Sequence, residues 1–286
     1  MKYALIARYR QLYPLVLMCR VMAVSRSGYY QWQKADQPSH KRRERCLIAA
    51  IIALYKSFKA RYGAPRITTE LRAMGIHCCL NYVARLMQEA GLKARNGKAF
   101  KYSPSPEARY GLADNILKRH FAAERPNQKW TTDITYIRVQ QRWLYLATVM
   151  DLYSRRIVGW ALDTQMTETL ITQALNMALG QRHIEPGLIV HSDRGVQYRA
   201  TRYQSLIRRH GAIPSMSRQG NCWDNAAMES FFSRLKVELV YAETFKSVEE
   251  ARSSLFEYIE IFYNRIRRHS TLGYLSPVDF ENFNTQ

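Results

Sequence analysis

The segment Trp130-Thr-Thr-Asp133-Ile-Thr-Tyr-Ile137 places one acidic residue among Thr, Ile and aromatic residues. Residues of these types are enriched in strands, so the segment predicts a β-strand that carries Asp133 in its interior. Two further runs of similar composition, Trp143–Met150 and Arg156–Leu162, follow after short turn-like connections. The three runs together predict an antiparallel meander.

Helices and strands alternate after the meander. The predicted elements are helix Glu168–Gly180, strand Leu188–Val190, helix Thr201–Arg209, strand Ile213–Met216 and a helix that contains Glu229. These patterns predict an α/β core with a mixed five-stranded sheet and flanking helices. A dinucleotide-binding fold is disfavoured, because no Gly-x-Gly-x-x-Gly motif follows the first strand.

Two more acidic residues accompany Asp133. Asp193, in His191-Ser-Asp193-Arg-Gly195, follows a predicted strand, and Glu229 lies on a predicted helix after 35 intervening residues. Singly, each has an ordinary explanation: Asp133 caps a turn, Asp193 starts a turn before Gly195, and Glu229 is a solvated helix position. Their joint spacing and the distinctive sequence motifs around them favour a common site instead.

Three carboxylates on two strands and a helix suit a pair of Mg²⁺ or Mn²⁺ ions about 3.5–4 Å apart. Hard cations prefer carboxylate oxygens and leave further positions to water and phosphate. Asp133 is the candidate that bridges both ions, while Asp193 holds one ion and Glu229 the other. Asp151 and Asp224 are the nearest alternatives. We expect Asp151 in a turn between strands and Asp224 at the N-cap of the helix that bears Glu229.

The net charge of +20 is distributed unevenly along the 286-residue chain. Residues 1–125 carry 24 Lys and Arg against 7 Asp and Glu, whereas residues 126–286 carry 19 against 16. A basic half before a near-neutral half favours a DNA-binding module in front of a catalytic one. Together with the three carboxylates, this charge indicates an enzyme that cuts or joins nucleic acid.

Membrane and metal-finger classes fit the sequence poorly. No run approaches the roughly 18 apolar residues of a spanning helix, and Leu12–Val24 is too short and lacks the cleavage site of a signal peptide. Five cysteines without a Cys-x-x-Cys pair favour a reduced, intracellular protein. The contiguous His77-Cys78-Cys79 cannot easily surround one tetrahedral ion, so we expect no zinc.

The sequence motifs around the acidic residues resemble those of a known family. His191-Ser-Asp193-Arg-Gly-Val-Gln-Tyr198 and Asn221-Cys-Trp-Asp-Asn-Ala-Ala-Met-Glu229-Ser-Phe-Phe are similar to the catalytic core shared by retroviral integrases and bacterial insertion-sequence transposases. The transposase likeness, to the catalytic product of elements with two overlapping reading frames, runs from about Arg43 to the C-terminus. It implies an α/β ribonuclease-H-like (integrase-type) core preceded by all-α helix-turn-helix modules.

The same resemblance implies a DDE-type transposase and its reaction. Metal-dependent hydrolysis would free a 3′-OH at each element end, and this hydroxyl would attack another phosphodiester without a covalent enzyme–DNA intermediate. Lys236, two helical turns after Glu229, matches a basic residue that holds DNA phosphate beside the metals in the family. The implied partners are double-stranded DNA of the element ends and target, further copies of the chain on that DNA, and a companion reading-frame product. The expected location is the bacterial cytoplasm, at the nucleoid.

Five segments are predicted along the chain. They are a helical, helix-turn-helix-like region 1–40, a second helix-turn-helix module 41–95, a basic linker 96–126 with one helix near Ala113–Phe121, the catalytic core 127–240, and a C-terminal helix with a basic tail 241–286. The candidate DNA contacts of the helical modules are Arg26, Arg66, Arg72 and Arg85. For the first module, the alternative is that its aromatic residues only close a small core. For the second, the alternative is a small helical bundle with solvated arginines.

Two other functions fit part of the pattern. A DNA-binding regulator with an inactive core is disfavoured because all three acidic residues are present. A plain metal-dependent nuclease would not need the strongly basic helical half, and it would yield hydrolysis without joined products. Whether the chain acts alone or within a frameshift fusion is open.

Overall fold

The computed structural model describes residues 2–34, 39–95, 113–118, 120–217 and 225–284. The chain divides into two compact units, residues 1–94 and 95–286. In the described ranges, no helix is long and apolar enough to cross a membrane. Asp224, predicted as an N-cap, and much of the predicted linker lie outside these ranges.

The first unit is helical throughout its described residues. Its helices are α1 (Lys2–Tyr9), α2 (Leu15–Val21), α3 (Arg26–Lys34), α4 (Ser39–Ser57), α5 (Ala64–Ala73) and α6 (Leu80–Glu89). Ile6, Cys19 and Tyr29 form the small core of α1 to α3. Ser25 caps α3, because its Oγ accepts a bond from the Gly28 amide at 3.0 Å. Helix α1 is not predicted by the sequence patterns.

The second unit contains the mixed five-stranded sheet that the sequence predicts. Its elements are β1 (Lys129–Val139), β2 (Arg142–Asp151), β3 (Ile157–Asp163), α7 (Glu168–Gln181), β4 (Ile189–Ser192), α8 (Thr201–Arg209), β5 (Ile213–Met216), α9 (Ala226–Leu235), α10 (Val248–Phe256) and α11 (Pro277–Asn284). The strand order is β3-β2-β1-β4-β5. Strands β1 to β3 are antiparallel, whereas β4 runs parallel to both β1 and β5. The predicted meander is therefore confirmed.

Two π-helical segments interrupt the helices near the C-terminus. Lys236–Val240 continues α9, and Glu257–Ile266 continues α10. Ser247 caps α10 by accepting a bond from the Glu250 amide at 3.1 Å. Such segments change the face that the following residues present, because each turn contains an extra residue.

Helix α7 covers one face of β2 and β3. Its predicted apolar positions are all buried, namely Leu170, Ile171, Ala174, Leu175 and Ala178. The closest approach is at Gly159 in β3, where an added Cβ would lie 2.2 Å from the Ala174 carbonyl oxygen and 2.8 Å from the Ala178 amide nitrogen. Only glycine therefore allows the backbones of β3 and α7 to pack at this separation.

The linker and the C-terminal segment differ from their predictions. Residues 113–118 form no helix; instead the amides of Ile116 and Leu117 point to Ser215 Oγ at 3.0 and 3.3 Å, and the Met216 amide bonds to the Asp114 carbonyl. Long-range bonds to β5 thus override local helix propensity. In the predicted C-terminal helix and basic tail, the basic residues Arg267 and His269 are buried in a folded segment.

We expect Gly159→Ala to destabilise the second unit strongly, because the new methyl group meets backbone atoms that cannot move aside. Gly180→Ala in α7 is the matched control, since an added Cβ there meets nothing within 4 Å. It should raise the free energy of unfolding by about 0.5–1 kcal/mol. Urea unfolding of both variants tests the contact, and equal stability of the two would contradict it.

Candidate active site

Strand pairing brings the first two predicted acidic residues to the same level of the sheet. Thr131 of β1 pairs with His191 of β4 in a parallel register. Two residues further along each chain are Asp133, inside β1, and Asp193, directly after β4. The pairing ends at Thr131, so a gap opens between the strands where the two carboxylates lie. Crevices at such points are where open α/β sheets bind their ligands.

Backbone amides hold both carboxylates in place. The Ile134 amide donates to Asp133 Oδ1 at 2.8 Å, and the Gly195 amide donates to Asp193 Oδ1 at 2.9 Å. Asp133 is partly buried, whereas the Asp193 side chain is exposed at the rim of the site. The turn that the sequence predicts at Gly195 is therefore present, and it orients Asp193 without consuming its second oxygen.

Helix α9 carries the third acidic residue to the same region. Glu229 lies in its first turn and is exposed. The helix is fixed to the sheet on both sides of Asp133: Thr131 Oγ1 donates to Asn225 Oδ1, and the hydroxyl of Thr148, the β2 partner of Asp133, lies 3.1 Å from Met228 Sδ. These contacts place the start of α9 over the row of the sheet that contains Asp133.

The three carboxylates influence each other electrostatically. Burial raises the pKa of Asp133 well above its ordinary value, and the charges of Asp193 and Glu229 raise it further, against the Ile134 amide and Lys236, which lower it. Loss of hydration also raises the pKa of Asp193 and of Glu229. Negative charges therefore lie close together here and are only partly offset by Lys236, an arrangement that favours an added cation.

The three carboxylates are not close enough together to form a cluster of metal ligands. Across the described ranges, no three His, Cys, Asp or Glu side chains converge closely enough to hold a metal ion. Glu229 is the residue whose exposed side chain and position on a separate helix leave most freedom to approach. The structure therefore brings Asp133, Asp193 and Glu229 into one electrostatic neighbourhood, but not into a cluster of metal ligands.

Lys236 lies at the other end of α9 and also faces this neighbourhood. Its Nζ is 4.6 Å from the centre of the Tyr136 ring. Burial lowers the pKa of the Lys236 amine, while the nearby Asp133 charge raises it. The predicted placement of this cation near the acidic residues is consistent with these interactions, although Lys236 already begins the π-helical segment.

A buried ion pair that sequence patterns do not reveal anchors this end of α9. Arg267 binds Glu238 through two bonds, Nε to Oε2 at 3.0 Å and Nη2 to Oε1 at 2.7 Å. Tyr258 donates a third bond to Glu238 Oε2 at 2.9 Å, and Arg95 Nη1 donates to the Glu238 carbonyl at 2.8 Å. Glu238 lies two residues after Lys236, so the C-terminal segment fixes the helix that bears Glu229.

Asp151 is held in a separate, structural cluster. It accepts bonds from the amides of Asn127 and Tyr153, at 2.8 and 2.9 Å, and pairs with Arg182 at 3.3 Å. Arg182 also binds Glu281 of α11 through two bonds of 2.9 Å. Asp151 therefore closes the turn after β2, as the sequence predicts, and its carboxylate is committed to that role.

Comparison with known proteins matches every part of this architecture. Models described as "Integrase core domain" match residues 123–222 and 229–284, and one described as "HTH-like domain" matches residues 41–100. Transposase InsF of insertion sequence IS3A from Escherichia coli K12 is 45% identical over 99% of both chains. The chain belongs to the insertion-sequence transposases. It is a DDE-type DNA transposase with a ribonuclease-H-like core.

One further insertion-element protein and two solved structures are also similar to the transposase. The insertion element IS600 uncharacterized 31 kDa protein of Shigella sonnei is 42% identical over 92% of this chain and 97% of its own. A chain of the simian T-cell lymphotropic virus intasome aligns with a TM-score of 0.47 and 14% identity, over 81% of this chain and 74% of that one. The HTLV-2 integrase catalytic core in complex with magnesium aligns with a TM-score of 0.42 and 12% identity, over 55% and 98%.

The candidate DNA contacts of the transposase differ in how firmly they are held. Arg26 is exposed at the start of α3. Arg66 lies 5.5 Å from the Tyr62 ring centre, and Arg85 pairs with Glu89 at 3.3 Å. Arg72 donates two bonds to the Cys78 carbonyl, at 3.2 and 3.0 Å, and so bridges α5 to the loop before α6.

Removing one partner of the buried pair should destabilise the transposase, because the other charge would remain buried and uncompensated. We expect Arg267→Ala to lower the free energy of unfolding by about 3–5 kcal/mol. Arg125→Ala is the control: its pair with Glu185 is more than half exposed, so the cost should stay within about 0–1 kcal/mol. Equal melting temperatures for the two variants would show that the buried pair does not anchor α9.

Proposed function

We propose that Asp133, Asp193 and Glu229 are the catalytic carboxylates of this transposase and bind divalent metal together. The observation that carries the proposal is the parallel register of β1 and β4, which sets Asp193 level with Asp133. The docking of α9 on Thr131 and Thr148 adds Glu229 to the same neighbourhood. Three carboxylates from two strands and a helix would then act as one unit.

The residues present fit Mg²⁺ or Mn²⁺, of which we propose two ions per site. Their oxygens are the donors that hard cations prefer. Burial raises the pKa of Asp133, the charges of Asp193 and Glu229 raise it further, and Lys236 offsets these effects only in part. Asp133 would be shared by both ions, with Asp193 and Glu229 each holding one. When bound, the metals would activate the attacking oxygen and stabilise the leaving one.

The reaction would proceed in two transfers at the same carboxylates. In the first, water attacks the phosphorus at an element end, the bond to the 3′ oxygen breaks, and a free 3′-OH and a 5′-phosphate result. In the second, that 3′-OH attacks a phosphodiester of the target, which releases a target 3′-OH. Asp133 and Asp193 would orient the reacting groups through oxygens that their amide partners leave free, and Lys236 would hold the adjacent phosphate.

The first unit would supply most of the DNA affinity. Most of the region 41–100 that matches an HTH-like domain lies in this unit, and residues 1–94 carry 17 Lys and Arg against 4 Asp and Glu. Arg26, Arg66, Arg72 and Arg85 would contact phosphates of the element ends. We further propose that copies of the chain assemble on DNA in the bacterial cytoplasm, together with a companion reading-frame product.

Changing any one of the three carboxylates to Ala should reduce cleavage and joining by at least about 10³-fold, with no further loss in double variants, because the residues act as a unit. Binding to element ends should persist. Asp163→Asn, an isosteric change at an acidic residue at the end of β3, is the control and should retain activity. Sequencing of products from native element ends with Mg²⁺ measures both steps. Strand transfer by a single Ala variant at the normal rate would refute the assignment.

Lys236→Ala should slow joining about 10- to 100-fold, the loss expected for one hydrogen bond to a charged phosphate. Lys236→Arg should restore part of the rate, because it retains the cation. Lys246→Ala, at an exposed lysine of the same unit, should change nothing. Joining assays together with melting temperatures test this role. A lysine that serves only folding would show a lower melting temperature and normal turnover per folded molecule.

The arginine contacts should be visible in the salt dependence of binding. Each phosphate contact releases counterions, so each of Arg26→Ala and Arg66→Ala should reduce the slope of log affinity against log salt by about 0.9. Arg125→Ala, in the second unit, is the charge-matched control and should leave the slope unchanged. Titration of labelled element ends at several salt concentrations gives the slopes. Equal slopes for all three variants would remove these arginines from the interface.

A further inference from the structure

Two large aromatic side chains stand exposed on the hairpin of β1 and β2. Tyr136 is 55% exposed and Trp143 is 47% exposed. Their ring centres are 5.2 Å apart, with the ring planes at 90°. The β1–β2 register pairs Arg138 with Trp143, and Tyr136 lies two residues from Arg138, so both rings lie on one face of the hairpin. About half of each ring stays open to solvent in the described part of the chain.

Positive charge lies on both sides of this aromatic pair. Lys236 Nζ is 4.6 Å from the Tyr136 ring centre, and Arg138 Cζ is 6.0 Å from the Trp143 ring centre. Arg138 Nε also donates to the Gln140 carbonyl at 3.2 Å, which holds its guanidinium along the hairpin. Aromatic rings beside cations are the combination with which proteins bind unpaired nucleotides: the rings stack on bases and the cations attract the backbone.

The hairpin gives this surface a rigid base. The strands pair without interruption from Trp130 with Asp151 to Val139 with Arg142, and a two-residue turn joins them. Gln140 in that turn donates to the Lys246 carbonyl, which ties the hairpin to the segment before α10. Rings held on such a scaffold lose little freedom when a flat partner stacks on them.

The surface is close to the proposed catalytic centre. Tyr136 follows Asp133 by three residues on the same strand, so the two side chains start on opposite faces of the strand, at backbone positions roughly 10 Å apart. Lys236 spans the two, since its amine contacts the Tyr136 ring and feels the charge of Asp133. A nucleotide whose phosphate lies beside Lys236 would therefore have its base within reach of the rings.

We propose that Tyr136 and Trp143 form a stacking platform for an unpaired base of the DNA end, next to the cleaved bond. The position relative to cleavage rests on the assignment of Asp133 to the catalytic centre. The alternative role, cross-strand stabilisation of the hairpin, would affect folding but not the choice of DNA. The platform would favour ends whose terminal pairs are already open, because their bases need no unstacking before they bind.

The test uses the full chain without divalent metal, so that no cleavage occurs. The probes are native element ends with 2-aminopurine at successive positions around the cut, each made once as a paired duplex and once with the probe base mismatched. Stacking on a ring should quench the 2-aminopurine fluorescence at one or two adjacent positions. Loss of one stacking contact should weaken binding of the mismatched end about 5- to 150-fold.

Four variants separate stacking from folding. Trp143→Leu and Tyr136→Leu should lose the quenching and the preference for mismatched over paired ends, whereas Trp143→Phe should keep part of both. Phe283→Leu, at a 77% exposed aromatic of α11, should resemble the unchanged protein. An unchanged preference in both Leu variants, or equal loss for paired and mismatched ends that follows a lower melting temperature, would overturn the platform.

The same experiment distinguishes this inference from the proposed function. Quenching without metal does not require an active centre, so Asp133→Asn should stack the base, and in a parallel reaction with Mg²⁺ it should fail to cut. Quenching at positions far from the cut would overturn the placement of the platform beside the active site. An active Asp133→Asn variant with normal quenching would refute the carboxylate assignment and leave the stacking surface standing.

Discussion

The parallel pairing of β1 with β4 is the constraint on which the site depends. Strand β1 has an antiparallel partner on one side and a parallel partner on the other, so it must lie inside the sheet. The parallel pairing stops at Thr131 and His191. Beyond these residues, β1 and β4 continue without pairing to each other. Any shift of this register by one residue would turn Asp133 to the opposite face.

The proposed site holds several carboxylates close together, whereas buried carboxylates elsewhere in the unit are paired with arginines. Burial and then the charge of Asp193 raise the pKa of Asp133, whereas the carboxylates of Glu238 and Glu281 are neutralised by Arg267 and Arg182. For Glu281, the hydrogen bonds from its arginine and serine partners outweigh burial and keep its pKa low. The protein thus leaves negative charge only partly offset at the place where we propose that a cation and a phosphate bind.

Sequence patterns predicted what is local and missed what is distant. The bounds of α8 and β5, and the buried face of α7, follow from periodicity over a few residues. The pairing of Glu238 with Arg267 joins positions 29 residues apart, and the bonds of Ile116 to Ser215 join positions 99 apart. Local propensity does not reveal such distant partners, which is why a helix was expected at 113–121 and why the buried pair of Glu238 with Arg267 was not predicted. The aromatic platform was missed because exposed rings in a strand look like ordinary β-formers.

The two buried pairs also set an order of events during synthesis. Glu238 and Arg182 emerge from the ribosome before Arg267 and Glu281, since a chain is made from its N-terminus and its units fold as they appear. Before Arg267 and Glu281 have been synthesised, the charges of Glu238 and Arg182 lack these buried partners. The helix that bears Glu229 can be secured only after Arg267 has been synthesised. A transposase arrested part-way through synthesis would then display its basic N-terminal half while its cutting centre is still unfinished.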